Sequence, residues 1–203
     1  MKKIFNKINL VLPLSLLLMT VVSSCNKELP AATPIWVDPQ LGTTIADVLN
    51  TDASFSILKA AVTKAGLMDA VSSRTNTFTV FAPNDAAFIA SGIPLAAINA
   101  LPAATVASIV QYHIIPGQKI TSSAIPTTFP NVQMPTAFIF PAPNTNPLVR
   151  FNTFPSKRGS NVWVNNIPVT AADINVANGV IHAVAAVVAP PSTSLWQAIN
   201  ADP

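Results

Sequence analysis

The chain has 203 residues, 50% of them hydrophobic and only 9% charged, against about 25% charged in ordinary soluble domains. Of its 11 Lys and Arg, three (Lys2, Lys3, Lys7) sit at the N-terminus, which leaves eight basic residues against eight acidic ones. A nucleic-acid binder needs a surplus of cations to displace counterions from phosphate, so this balance excludes that class.

Residues 1–24 read as a targeting segment. Lys2, Lys3 and Lys7 form a charged start, and Ile8 to Val22 is an apolar run of 15 residues, short of the roughly 20 that a permanent membrane helix needs. Val22-Ser23-Ser24-Cys25 follows, and small residues before a cysteine resemble a bacterial lipobox. Cys25 is then the lipid attachment site. It is also the sole cysteine, so no intramolecular disulfide forms and the domain must be stable from its core. A body of about 150 residues can do this by burying roughly 68–70% of its surface. Lys27-Glu28 resembles the start of a surface-export tag of Bacteroidetes lipoproteins. Residues 25–40, with Pro30, Pro34 and Pro39, read as a tether.

Thr43 or Thr44 is placed to cap a helix running to about Asn50, and Asp52 to cap a second from Ala53 to about Ala65. Phe55, Leu58, Val62 and Ala65 recur at helical spacing, and Gly66 follows where a C-terminal cap belongs. Thr77 to Ala82 alternates polar and apolar, the pattern of a half-buried strand. Asn84 or Asp85 then caps a helical turn, a structural role preferred for Asp85 because no second carboxylate is near to form an acid–base pair. Pro94 to Ala100 and Pro102 to about Gln111 read as two more helices with proline at the first turn. Tyr112 to Gly117 reads as extended, which would put Tyr112 and His113 on opposite faces of a strand.

Thr121 to Pro147 holds six prolines and reads as irregular edge strands and loops. Leu148 to Phe154 reads as a strand, and Lys157-Arg158-Gly159 as a solvated basic turn. Asn165-Asn166, between Asn161–Val164 and Ile167–Thr170, marks a β-hairpin. Asp173-Ile174 leads to Asn178-Gly179, a turn signal in which both residues tolerate positive φ. The uncharged run from Val180 to Ala189 then reads as a strand buried on both faces, with His182 a core histidine. Helices precede the middle of the chain and strands follow it, the order of an α+β fold.

Three motifs together resemble the fasciclin domain family: Thr77 to Phe88, containing Phe81, Pro83, Asp85 and Phe88; Tyr112-His113 with Ile114 to Gly117; and Asn178-Gly179-Val180-Ile181-His182. The resemblance spans 41–190. Asn84 stands where threonine is usual, Ala185 where aspartate is usual, and the Ile125–Lys157 segment is long and rich in proline. The resemblance implies a compact wedge of β-strands in two packed sheets, with several short helices mainly in the N-terminal half. It also implies an extracellular adhesion module and makes Tyr112 and His113 candidate partner-contact residues, against the alternative that they hold the fold together. Ser194 to Pro203 is similar to Thr44 to Ala53, so 191–203 reads as a linker and the start of a second repeat.

Three functions are weighed. The preferred one is a surface-anchored, non-enzymatic interaction module at the bacterial outer membrane or cell surface. Its partner would be an unidentified protein or glycan, with the membrane engaged through lipidated Cys25. The alternative is a binder of a small apolar ligand such as a pigment or lipid, suggested by Phe129, Phe138, Phe140, Phe151 and Phe154. The third is an enzyme, rejected because there is no acid pair, nucleophile elbow, phosphate loop or free thiol. No cofactor is expected. No metal is expected either, since His113 and His182 lack a third ligand.

Overall fold

The computed structural model describes residues 42–127, 132–139 and 150–190. Cys25, the tether, Phe129, Phe140 and the 191–203 segment lie outside these residues. Thr44 caps α1 (Ile45–Thr51) through a reciprocal pair with Asp47. Asp52 caps a 3₁₀ turn (Ala53–Phe55) that runs into α2 (Ser56–Lys64). Gly66, at φ 68°, supplies the left-handed stop the sequence foresaw. A further helix, α3 (Met68–Ser72), was not expected; at five residues it shows little periodicity. Strand β1 (Phe78–Pro83) leads to α4 (Asp85–Ala90), α5 (Leu95–Ala100) and α6 (Ala103–Tyr112).

Helix α6 carries the first correction. Tyr112 is its last residue and His113 its C-cap, and the extended segment is only β2 (Ile114–Pro116). The remaining strands are β3 (Met134–Ile139), β4 (Arg150–Thr153), β5 (Pro155–Arg158), β6 (Asn161–Val164), β7 (Ile167–Val176) and β8 (Gly179–Val184). Lys157 and Arg158 thus end a strand, and the turn begins at Gly159.

Six strands form one sheet in the order β2-β1-β8-β7-β6-β5, and β3 pairs with β4 in a second sheet. β1 and β8 run parallel, from Phe78 opposite Gly179 to Pro83 opposite Val184. This pair is the spine of the molecule. Val80, Ala82, Ile181 and Ala183 face a core shared with the helices, whereas Phe81 and Val184 face a second core with Tyr112, Ile115, Met134 and Val164. All six residues of β8 are buried, as its uncharged run predicts. β1 departs from expectation, because its polar face is buried too. Thr79 is fully buried, donating to the Gln118 carbonyl and accepting from Ile120 N–H, both at 2.8 Å. Among the described residues no helix is long and apolar enough to cross a membrane.

Candidate functional site

The three sequence motifs meet around β1 and β8, and their polar groups are spent on backbone. Asn178 sits in the turn between β7 and β8, which is made by Ala177-Asn178 rather than Asn178-Gly179. Its φ is not positive; its side chain is what counts. Oδ1 accepts from Ile45 N–H at 2.9 Å, and Nδ2 donates to the carbonyls of Val71 (2.7 Å) and Ser73 (3.0 Å). One amide thereby caps the start of α1 and the end of α3. Gly179 has φ 150°, and a Cβ there would lie 1.9 Å from the Phe78 carbonyl oxygen. Only glycine lets β1 and β8 approach at that point.

The two histidines are buried, 2% exposed for His113 and 0% for His182, and both are fully bonded. His113 Nδ1–H donates to the Ile109 carbonyl (2.8 Å), and Nε2 accepts from Val188 N–H (2.9 Å). His182 Nε2–H donates to the Ile120 carbonyl (2.8 Å), and Nδ1 accepts from Asp173 N–H (3.2 Å). The bonding pattern assigns them opposite neutral tautomers. His182 also stacks on Phe81, with centroids 5.5 Å apart. Burial pushes His113 down to about 4, against the pull of the Ile109 carbonyl. Burial lowers His182 as well, against Ile120 and the Asp173 charge. Neutral rings with both nitrogens occupied are poor bases and poor ligands. No group of three or more His, Cys, Asp or Glu that could hold a metal occurs among the described residues.

Tyr112 is 5% exposed. Its hydroxyl donates to the Asn152 carbonyl (3.0 Å) and accepts from Asn165 Nδ2 (3.1 Å). Asn165 Oδ1 in turn accepts from Thr153 Oγ1 (3.2 Å) and Phe154 N–H (2.8 Å). With φ of 47° and 65°, Asn165 and Asn166 make the tight hairpin turn that their identity predicts. Tyr112 and His113 are therefore buried and bonded within the fold, not on opposite faces of a strand. They tie the end of α6 to three other segments. Asp85 is a cap, but of a different helix from the one it begins. Asn84 caps α4, while Asp85 accepts from Ile57 N–H (2.8 Å) and Ser56 Oγ (2.5 Å) at the start of α2. Phe81 and Phe88 are core residues, each 1% exposed, and Pro83 ends β1, buried.

Asp173 is the residue sequence reading undervalued. It has φ 61° at a bulge in β7, and its carboxylate accepts from both the backbone N–H and the hydroxyl of Ser122. Burial alone would raise its pKa, yet the Ser122 bonds outweigh that and hold it below its ordinary value. The available signal was an aspartate, tolerant of left-handed backbone, inside a strand pattern. Ser122, His182 and Asp173 are the three residue types of a hydrolytic triad, wrongly connected. The hydroxyl donates to the carboxylate, and the imidazole meets only backbone, so no base activates the serine.

The surface has other features. Arg158 lies over the Trp163 ring at 5.4 Å, and the buried Trp163 Nε1 finds no acceptor among the described residues. Phe138 and Phe151 stack at 4.9 Å with Tyr112 edge-on to Phe151, so these rings pack on one another. A cavity bounded by Ile45, Leu58, Val62, Val110 and His113 holds only about 10 Å³, room for no more than one water. Among the described residues the exposed large apolar side chains are Ile89, Leu95, Val132 and Phe154.

Against known proteins, the chain matches the fasciclin domain model over residues 53–190. It is 35% identical over 162 residues to transforming growth factor-beta-induced protein ig-h3 of Sus scrofa, covering 76% of this chain but 20% of that relative. It is 34% identical over 160 residues to protein sll1483 of Synechocystis, covering 73% of this chain and 74% of that one. Among solved structures, the FAS1 domain pair of the insect cell adhesion molecule Fasciclin I superposes with a TM-score of 0.57 at 18% identity, over 73% of this chain and 51% of that one. The chain thus spans about one fifth of the animal relative's length and about half of the insect pair. Fasciclin domains are in general extracellular interaction and adhesion modules without enzymatic activity, and this chain belongs to the fasciclin domain family.

Proposed function

We propose that this protein is a surface-anchored, non-enzymatic interaction module, held in the bacterial envelope by lipid on Cys25 and binding an extracellular or envelope protein or glycan. The observation that carries the reading is the spending of the motif polar groups on backbone within a fasciclin fold. Asn178, His113, His182 and Asp85 build the domain, with their polar groups bonded within it and not open for chemistry. Tyr112 contributes to binding at one remove. Its hydroxyl positions Asn165, which holds the backbone of Phe154, and Phe154 is 40% exposed. The contact surface we assign is therefore the β4–β5 corner, with Phe154 as its apolar anchor.

The test is binding to cell, matrix and glycan arrays by wild type, Phe154→Ala and Tyr112→Phe, alongside metabolic labelling with an alkyne fatty acid. The reading expects label lost in Cys25→Ser, binding lost in Phe154→Ala, and binding weakened in Tyr112→Phe with an unchanged circular dichroism spectrum. Retention of a non-covalently bound pigment, lipid or metal by the purified protein in native mass spectrometry would overturn it.

A further inference from the structure

Of the six glycines in the chain, only Gly179 follows an asparagine. An asparagine before glycine deamidates fastest of all, because glycine leaves its amide nitrogen unshielded and its backbone free to turn inward. The reaction needs only the pair and water. The Gly179 backbone nitrogen gives up its proton and attacks Asn178 Cγ. The N–Cγ bond forms, the Cγ–Nδ2 bond breaks, and the amide leaves as ammonia with that proton. Water then opens the succinimide. Breaking the new N–Cγ bond gives aspartate. Breaking the bond from the same nitrogen to the main-chain carbon gives isoaspartate, whose backbone runs through the side chain and is longer by a methylene. No atom is oxidised or reduced.

The folded domain blocks this path. Asn178 is 2% exposed. Its Oδ1 is held by Ile45 N–H and its Nδ2 by the carbonyls of Val71 and Ser73, so Cγ cannot swing onto the Gly179 nitrogen without stranding buried groups of α1 and α3. The Asn178 main-chain carbonyl accepts from Phe78 N–H at 3.0 Å, which fixes the peptide plane between Asn178 and Gly179. Attack must wait for the turn to open. The products also misfit the site. A carboxylate oxygen in place of Nδ2 would face carbonyl oxygens 2.7 and 3.0 Å away, buried and with no proton between them. Isoaspartate would lengthen the chain between two residues that both engage Phe78, Asn178 through its carbonyl and Gly179 through the β1–β8 register. There is no slack at that point, since even a Cβ on Gly179 would lie 1.9 Å from the Phe78 oxygen.

We propose that Asn178 is a deamidation site closed by folding and open in the unfolded chain, so that a chain left unfolded is converted to products that the β7–β8 turn does not accept. The modification makes unfolding one-way. The test holds the full chain at mildly alkaline pH, native or in urea, and samples it over time. Peptide mass spectrometry reads the exchange of NH₂ for OH at Asn178, and isoaspartyl methyltransferase reads isoaspartate. Conversion should be slower in the native sample by about a hundredfold or more. On dilution from urea, the share recovered as folded monomer by gel filtration should fall in step with the loss of Asn178, and isoaspartate should stay in the remainder. Urea at mildly acidic pH, where the glycine nitrogen keeps its proton, should preserve both Asn178 and refolding. Asn178→Asp should unfold at a lower urea midpoint than the wild type, which separates the misplaced charge from the lengthened backbone. Native conversion at the urea rate overturns the proposal. So does isoaspartate at position 178 in the refolded monomer at its share of the whole sample, refolding lost while Asn178 is intact, or a wild-type midpoint in Asn178→Asp.

Discussion

The β7–β8 turn and the exposed residues of α4 and α5 occupy opposite extremes of the same domain. At the turn, both side-chain polar atoms of Asn178 have named backbone partners, and Gly179 sits where a methyl group would lie 1.9 Å from a carbonyl oxygen. On α4 and α5, Ile89 and Leu95 are exposed and carry little of the fold. The first region is over-determined and the second under-determined. The difference separates residues whose polar groups the fold consumes from residues left exposed, and Tyr112 and His113 are buried and bonded like the first kind.

The contrast predicts a graded series of costs. Gly179→Ala should abolish folding, a loss beyond about 5 kcal/mol, because backbone rather than a movable side chain blocks the new Cβ; a cooperative urea transition near that of the wild type would refute it. Asn178→Ala should cost about 3 kcal/mol, since it strands a buried N–H and carbonyl oxygens that cost roughly 1–3 kcal/mol each and do not add fully. The check is the shift in urea midpoint at unchanged slope.

Acid acts on the same over-determined region through His113. Its folded pKa, about 4, lies below its ordinary 6.5. The unfolded chain therefore binds more protons between those values, and stability rises with pH across that window. The contribution is complete above pH 6.5, is lost as pH falls toward 4, and is on the order of 3 kcal/mol from the size of the shift. Urea midpoints at pH 7 and pH 4.5 should differ in the wild type. The difference should shrink in His113→Gln, with His182 supplying the remainder. At the other extreme, Ile89→Ser should change stability by less than about 0.5 kcal/mol; a larger loss would show that Ile89 supports the fold.

Much of this was readable from local pattern. Thr44, Asp52, Gly66, Pro94 and Pro102 mark helix ends, because caps are local chemistry. Asn165-Asn166 gives its turn for the same reason. The errors fall where a side chain serves a distant segment. Asp85 looked like the cap of its own helix and is the cap of α2, 28 residues earlier. Tyr112-His113 looked extended because apolar residues follow. The helix instead continues through Tyr112, and His113 reaches back to Ile109 and across to Val188.

Residue order alone decided the α+β class, the buried central strand, the near balance of charge outside the N-terminal segment and the absence of catalytic motifs, since composition and periodicity act within a few residues. Tertiary structure alone decided that Thr79 is buried, that the two imidazoles hold opposite tautomers, that Asp173 occupies a left-handed bulge, and that Val187 N–H meets Ser91 Oγ. These depend on which backbone group stands opposite a side chain more than 20 residues away for most of them, and no spacing rule encodes a partner at that distance.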